Sequence, residues 1–306
     1  MKSEEKTMKY IYPRLSQYDL NILRLGGPGL GNLLFTYSRA VAESKKNNIP
    51  MIWPTWYSLK IGPYIRHEMD KRKYNDLFTN NSNYISGVKK IWLRCTRKVV
   101  NRNQIKSIEN VDSGIIEYTG MADMFEPIID DYELIRNDLI CNLQVQNRGW
   151  SDFNFTDSIS VHIRLGDFQR GTTEQLKCGS QNTSTPVEWY CSMIQQIRAA
   201  VGRNMQVYVF SDGTEEELRD ILHMPNVQRI TFGNSISDIM ALSKANLFLA
   251  SGSTFSMWAR FLGRMNVIAY EGQLLQTLKR EGENFFEMEM ADVISKKQMD
   301  EIIKLF

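Results

Sequence analysis

From Ser158 onward the sequence alternates short apolar runs with amphipathic ones. The strand-like runs are "SISVHIR", "QVYVFS", "VQRITF", "NLFLAS" and "NVIAY", and helical patterns fill about 187 to 201, 214 to 222, 236 to 244 and 254 to 263 between them. Strands alternating with helices lie side by side as parallel strands joined by right-handed crossovers, so this half predicts a Rossmann-like domain. The closing "SKKQMDEIIKLF" reads as a last helix, with packing back on the first domain as one place for it.

The opening half is built differently. A strand "NILRL", a glycine loop "GGPGLG", a helical run "NLLFTYSRAVAESKKN" and a second strand "IPMIW" predict a β-α-β unit. Residues 55 to 150 show weak periodicity, with one strand expected at "GIIEYT". The expected architecture is α/β, with an N-terminal domain over 1–155 and a C-terminal Rossmann-like domain over 156–306.

Composition excludes several classes. With 306 residues, 42% of them hydrophobic and 24% charged, the chain can bury two cores, and a net charge of +2 gives no global reason to expect nucleic acid. The first twenty residues hold acids, a proline and no apolar h-region, and nothing approaches eighteen consecutive apolar residues, so neither a signal peptide nor a membrane span is expected. The cysteines at 95, 141, 178 and 191 lack the close pairing of a zinc or redox motif and read as free thiols in a reducing cytoplasm.

The segment "SVHIRLGDFQRG" carries the first chemistry. Val161, Ile163 and Leu165 share one strand face, while His162 and Arg164 share the other and sit at the strand's carboxyl end, where open α/β sheets bind ligands. Gly166 and Asp167 follow at once. Two more polar clusters, "FSDG" with Asp212 and "SGSTFS" with Ser253 and Thr254, stand at the ends of later strands. Arg164 offers a fork for phosphate oxygens, and a helix start at Ser253 and Thr254 offers hydroxyls and free N–H groups. Asp212 either reads a base edge such as guanine N1 and N2 or caps the helix after Thr214. This row fits a nucleoside diphosphate.

The glycine loop is neither a Walker loop nor a dinucleotide fingerprint. Gly31 is followed by Asn32 and Leu33 rather than Lys and Ser or Thr, and the glycines at 26, 27, 29 and 31 do not give G-x-G-x-x-G. What remains is a loop whose backbone can approach a ligand, with Asn32 at a helix start to cap or donate.

Together these segments resemble bacterial α-1,2-fucosyltransferases. "LGGPGLGNLLFTYSRAVA" is similar to their "GGLGNQMFQYA", "VHIRLGDF" to "VHIRRGDY", "VYVFSDG" to "FSDD" and "NLFLASGSTFSMWARFLG" to "NSTFSWWAAWL", in the same order over roughly residues 22 to 263. The resemblance implies a GT-B fold, two Rossmann-like domains facing across a cleft, and inverting transfer from GDP-L-fucose to an oligosaccharide of a surface polysaccharide, O-antigen or capsule, through an α-1,2 linkage. It carries donor-binding roles to Gly29, Gly31, Asn32, His162, Arg164, Asp212, Ser253, Thr254 and Phe255, and catalytic roles to Asp167, Arg164 and Asn32. No cofactor is implied beyond the GDP-sugar, and no metal: the chain contains no D-x-D. Pro28 in the glycine loop, and Leu165 where the family has a second arginine, depart from the pattern. They leave a different donor such as GDP-colitose, or a non-catalytic carbohydrate-binding relative, as alternatives.

One basic stretch remains. No acid occurs from Leu77 to Ile108, and "VKKIWLRCTRKVVNRNQIK" supplies seven cations with Ile91, Cys95 and Val99 near helical spacing. It predicts a basic amphipathic helix, read as a solvated face or as a peripheral contact of residues 88–106 with the inner membrane surface, where a lipid-linked acceptor would lie.

Overall fold

The computed structural model describes residues 8–59 and 74–306, and the chain divides into two compact units, Met1–Val145 and Gln146–Phe306. The division precedes the expected boundary because "QNRGWSDFNF" is held by the second unit. Lys244 Nζ donates to the carbonyls of Ser151 and Phe153 at 2.5 and 2.8 Å, and Ser237 Oγ donates to that of Asn147 at 2.9 Å.

The described part of the first unit runs β1 (Lys9–Pro13), β2 (Tyr18–Asp19), β3 (Arg24–Leu25), α1 (Leu30–Asn47), β4 (Ser58–Leu59), α2 (Gly87–Thr96), β5 (Val99–Asn101), β6 (Gly114–Tyr118) and α3 (Tyr132–Asn142). Its sheet is parallel, in the order β1-β6-β5, and β6 is the expected "GIIEYT" strand. The expected first strand, "NILRL", is not in it. Only Arg24 and Leu25 are extended there, in a small sheet with β2 and β4. The sheet position belongs to "KYIYP", whose Tyr10, Ile11 and Tyr12 are buried. "IPMIW" contributes single bridges, Met51 to Ile11 and Ile52 to Ile85.

The second unit runs β7 (Ser158–Ile163), β8 (Gln169–Arg170), α4 (Thr173–Lys177), β9 (Thr183–Ser184), α5 (Val187–Val201), β10 (Gln206–Ser211), α6 (Arg219–Leu222), β11 (Val227–Arg229), α7 (Ser235–Leu242), β12 (Leu247–Ala250), α8 (Thr254–Gly263), β13 (Asn266–Tyr270), β14 (Glu287–Met290) and α9 (Lys296–Ile303). Six parallel strands stand in the order β11-β10-β7-β12-β13-β14. After β7 the chain builds outward on one side through β10 and β11, then returns to place β12 on the other. The strand order reverses at β7. Such a switch point opens a crevice outside the carboxyl ends of the two strands it separates, here β7 and β12.

All six residues of β7 are buried, as a central parallel strand covered on both faces must be. The helices pack by the usual spacing: Tyr190, Met193, Ile194 and Ile197 of α5 lie on the core, and Gly202, with φ of 79°, ends the helix. The closing helix α9 packs on the second unit, with Ile302 wholly buried in its core beside Met299 and Leu305. The helix expected over 214–222 shortens to Arg219–Leu222, and β14 was not foreseen.

A buried ion pair joins α8 to that unforeseen edge strand. Arg260 Nη2 lies 2.7 Å from Glu287 Oε1, both side chains nearly inaccessible, and the guanidinium also donates to the carbonyls of Leu274 and Gln276 at 2.7 Å. Glu287 in turn accepts from the Leu278 and Lys279 amides at 2.7 and 3.0 Å. Burial lowers the pKa of Arg260, and the Glu287 carboxylate opposes that shift. Glu287→Ala would strand a buried cation, and we predict a loss of about 3–5 kcal/mol in chemical denaturation; a loss below about 1 kcal/mol would show that this pair does not hold α8.

Candidate active site

The crevice ends of β7 and β12 carry the expected residues, and their side chains are organised by one another. His162, the fifth residue of β7, is 5% exposed. Its Nδ1 lies 2.8 Å from Ser256 Oγ and 3.0 Å from Ser251 Oγ, and its ring stacks on Phe255 at a centroid distance of 4.5 Å. Burial, reinforced by the positive charge of Arg164, pushes its pKa down to about 3. The imidazole is therefore neutral at pH 7, a polar post rather than a charge.

The serines come from the turn into α8. Ser253 caps the helix, its hydroxyl accepting from the Ser256 amide at 3.3 Å, and Ser251 Oγ lies 3.0 Å from the hydroxyls of both Ser253 and Ser256. Hydroxyls of three serines and one imidazole thus form a closed set at the positive end of the α8 dipole. Thr254 and Phe255, in the first turn, remain partly accessible. Ser251 and Ser256 were not singled out in the sequence; the serine spacing in "SGSTFS" is the trace they leave there.

Arg164 follows β7 and is held from two sides. One terminal nitrogen pairs with Asp212 Oδ2 at 2.5 Å, the other donates to Asp167 Oδ1, and the Phe168 ring centroid lies 5.4 Å from the guanidinium carbon. Asp212 does not cap the following turn, the second role expected for it. Its Oδ1 accepts the Leu165 amide at 2.9 Å while Oδ2 faces Arg164, so the carboxylate clamps the end of β7. The following turn is capped instead by Thr214 and Glu217, each side chain meeting the other's amide, at 3.2 and 2.8 Å. Gly166 makes the clamp fit, since a Cβ there would stand 2.2 Å from Asp212 Oδ2. Leu165 packs on the core, as its strand face predicts, and lies over Gly213, where a Cβ would come within 2.5 Å of it. Asp167 is exposed and anchors Arg164, which favours the loop-holding role for it.

Gly29, Gly31 and Asn32 lie on the first unit, in the opening turn of α1. The helix begins at Leu30 with Gly29 as its N-cap and no side-chain cap, so Asn32 is inside the helix and caps nothing. The Leu30 amide donates instead to Tyr74 Oη at 2.9 Å. Gly26 and Gly27 have φ of 65° and 105°, which only glycine adopts readily, and at Gly27 a Cβ would lie 2.6 Å from Arg24 Nη1.

The family model of glycosyl transferase family 11 matches residues 128–281, half of the chain, and includes His162, Arg164, Asp212 and the start of α8. The chain belongs to glycosyl transferase family 11. This family 11 chain is 24% identical over 265 residues to an α-1,2-colitosyltransferase of Escherichia coli, covering 79% of this chain and 87% of that protein. A mutant of Arabidopsis thaliana FUT1 in complex with GDP shares the fold at a TM-score of 0.50 and 10% identity, over 86% of this chain and 70% of that one. The fucosyltransferase NodZ from Bradyrhizobium aligns at a TM-score of 0.49 and 13% identity, over 87% and 96% of the two chains. The chain is accordingly a glycosyltransferase of the expected GT-B-like α/β class.

The state of His162 in this family 11 site is directly observable. Its folded pKa lies below its unfolded one, so between about pH 6.5 and about 3 the unfolded chain binds the extra proton and acid weakens the fold in that window. We predict that the His162 imidazole shows no protonation shift in NMR spectra between pH 5 and 8. A titration with a midpoint near 6.5 would mean that the ring is not enclosed as described.

Proposed function

We propose that this glycosyltransferase moves L-fucose from GDP-L-fucose to a hydroxyl of an oligosaccharide, with inversion. The observation that carries the reading is Arg164, aimed between two carboxylates at the switch-point crevice beside the capped start of α8. A guanidinium so fixed presents a planar fork to two phosphate oxygens, and the helix start adds amide hydrogens and dipole to the same anion. Together they stabilise the charge that grows on GDP as it leaves.

In a single displacement the acceptor oxygen forms a bond to C1 of the sugar as the bond from C1 to the diphosphate oxygen breaks. GDP departs with that electron pair, and the hydroxyl proton passes to a base. Asp167 remains in reach of solvent, but its bond to Arg164 makes it first a positioning residue. His162 holds the α8 turn and Phe255 in place. Gly29, Gly31 and Asn32, at the start of α1, are assigned to the substrate-facing side of the first unit, where the open space before Gly29 leaves its backbone approachable. The acceptor belongs to a surface polysaccharide, and the linkage is α-1,2.

GDP-colitose is the second reading, favoured by the colitosyltransferase among the relatives. Both donors place the same diphosphate on Arg164 and differ only in the sugar. The mechanism needs no divalent metal, because the arginine and the helix start carry the leaving-group charge. The test is GDP release from a panel of GDP-sugars with oligosaccharide acceptors, with and without EDTA. We expect turnover of GDP-L-fucose ahead of GDP-colitose and unchanged by EDTA. A reversed preference moves the donor to colitose; a loss that manganese or magnesium restores overturns the metal-free account; binding without release makes the protein a carbohydrate-binding relative.

A further inference from the structure

The basic run of the first unit folds differently from the single amphipathic helix its spacing predicts. α2 stops at Thr96, and Val99 enters strand β5. Within α2 the usual arrangement is inverted. Lys90 is only 5% exposed and faces inward with Leu93, while Val88 is 84% exposed and Trp92 44%. Val88, Ile91, Trp92 and Cys95 follow the i, i+3, i+4, i+7 spacing of one helix face, and that face is turned to solvent.

Lys90 turns inward because a polar root holds it. Its Nζ donates to Thr55 Oγ1 at 2.8 Å, Thr55 donates to Asp19 Oδ1 at 2.8 Å, and Arg94 Nη1 pairs with Asp19 Oδ2 at 3.2 Å. Asp19 belongs to β2, so the same root anchors the β2–β3 hairpin. That hairpin also turns apolar side chains outward: Tyr18 and Leu20 are exposed, and Ile22 at its tip is 71% exposed. Two neighbouring elements, fixed by one buried carboxylate, therefore present bulky apolar residues to water.

The charge around them selects the partner. No acid occurs from Leu77 to Ile108, Lys89 and Lys98 lie at the surface, and the Arg97 guanidinium lies 5.3 Å from the Trp92 ring centroid. Apolar and aromatic side chains beside cations, on a short helix and a hairpin tip, match the boundary between acyl chains and anionic headgroups. We propose that this face of the first unit, α2 with the β2–β3 hairpin, docks on an anionic lipid bilayer. The inference extends the proposed function by naming the surface on which the acceptor is met.

Sedimentation with phosphatidylglycerol or phosphatidylcholine vesicles tests it, using the full chain, the double variant Val88→Glu/Trp92→Glu, the hairpin variant Ile22→Glu, and Val293→Glu as a control at a 77% exposed position of the second unit. Circular dichroism melting first establishes that all are folded. Binding of the parent to phosphatidylglycerol but weakly to phosphatidylcholine is expected, with a loss of about tenfold or more in both α2 and hairpin variants and none in the control. Transfer to a soluble acceptor without vesicles should be unchanged in every variant, which separates failure here from failure of the donor reading. Absence of vesicle binding, equal binding to the two lipids, or equal loss in Val293→Glu overturns the proposal. So does a change in oligomeric mass, which would assign the face to a second copy, or a raised soluble-acceptor KM with vesicle binding intact, which would assign it to glycan.

Discussion

The second unit's chemistry depends on one shared cation. Where the chain leaves β7, Arg164 is drawn between Asp167 and Asp212, and Asp212 also holds the Leu165 amide. One carboxylate from the end of β10 thus fixes both the backbone and the side chain at the end of β7. Pairs this accessible add little to stability, since water competes for both partners. Their value lies in orientation. A long flexible side chain is set in one direction before an anion arrives, so less of its freedom is lost on binding.

A second device fixes the other wall of the crevice. His162 is desolvated, uncharged and surrounded by serine hydroxyls from the start of α8, so strand and helix meet through neutral hydrogen bonds. A charged imidazole here would be desolvated and repelled by the Arg164 guanidinium, which is why the ring stays neutral. Farther along α8, the Arg260 pair with Glu287 ties the helix to the edge strand β14. The helix start that faces the crevice is therefore braced at its first turn and again two turns later.

Much of this was legible in the sequence where a pattern is local. The alternation after Ser158 placed five of the second unit's strands, and "HIRLGD" and "SGSTFS" marked the crevice because polar residues at strand ends stand out against apolar runs. β14 escaped because "EMEM" reads as a charged surface until Arg260 is seen to bury Glu287. That Asp212 also holds Arg164 and the Leu165 amide is not legible locally, since those partners lie just past the end of the neighbouring strand β7. In the first unit, "NILRL" has the apolar pattern of a strand, but the buried sheet strand is "KYIYP", whose tyrosines hide its core character in the sequence. In α2, helical spacing shows which residues share a face, not which face is buried. That choice was made by Asp19, far away in sequence.

The central claim is that Arg164 is the diphosphate anchor, and calorimetric titration of GDP into the parent and Arg164→Lys tests it most directly. Lysine keeps the charge but loses the fork that spans two oxygens and meets two carboxylates. The account predicts that the parent binds GDP, that Arg164→Lys binds about tenfold or more weakly, and that transfer by the variant falls by roughly 10² or more. Equal GDP affinity in the two proteins would contradict it and remove Arg164 from the donor site.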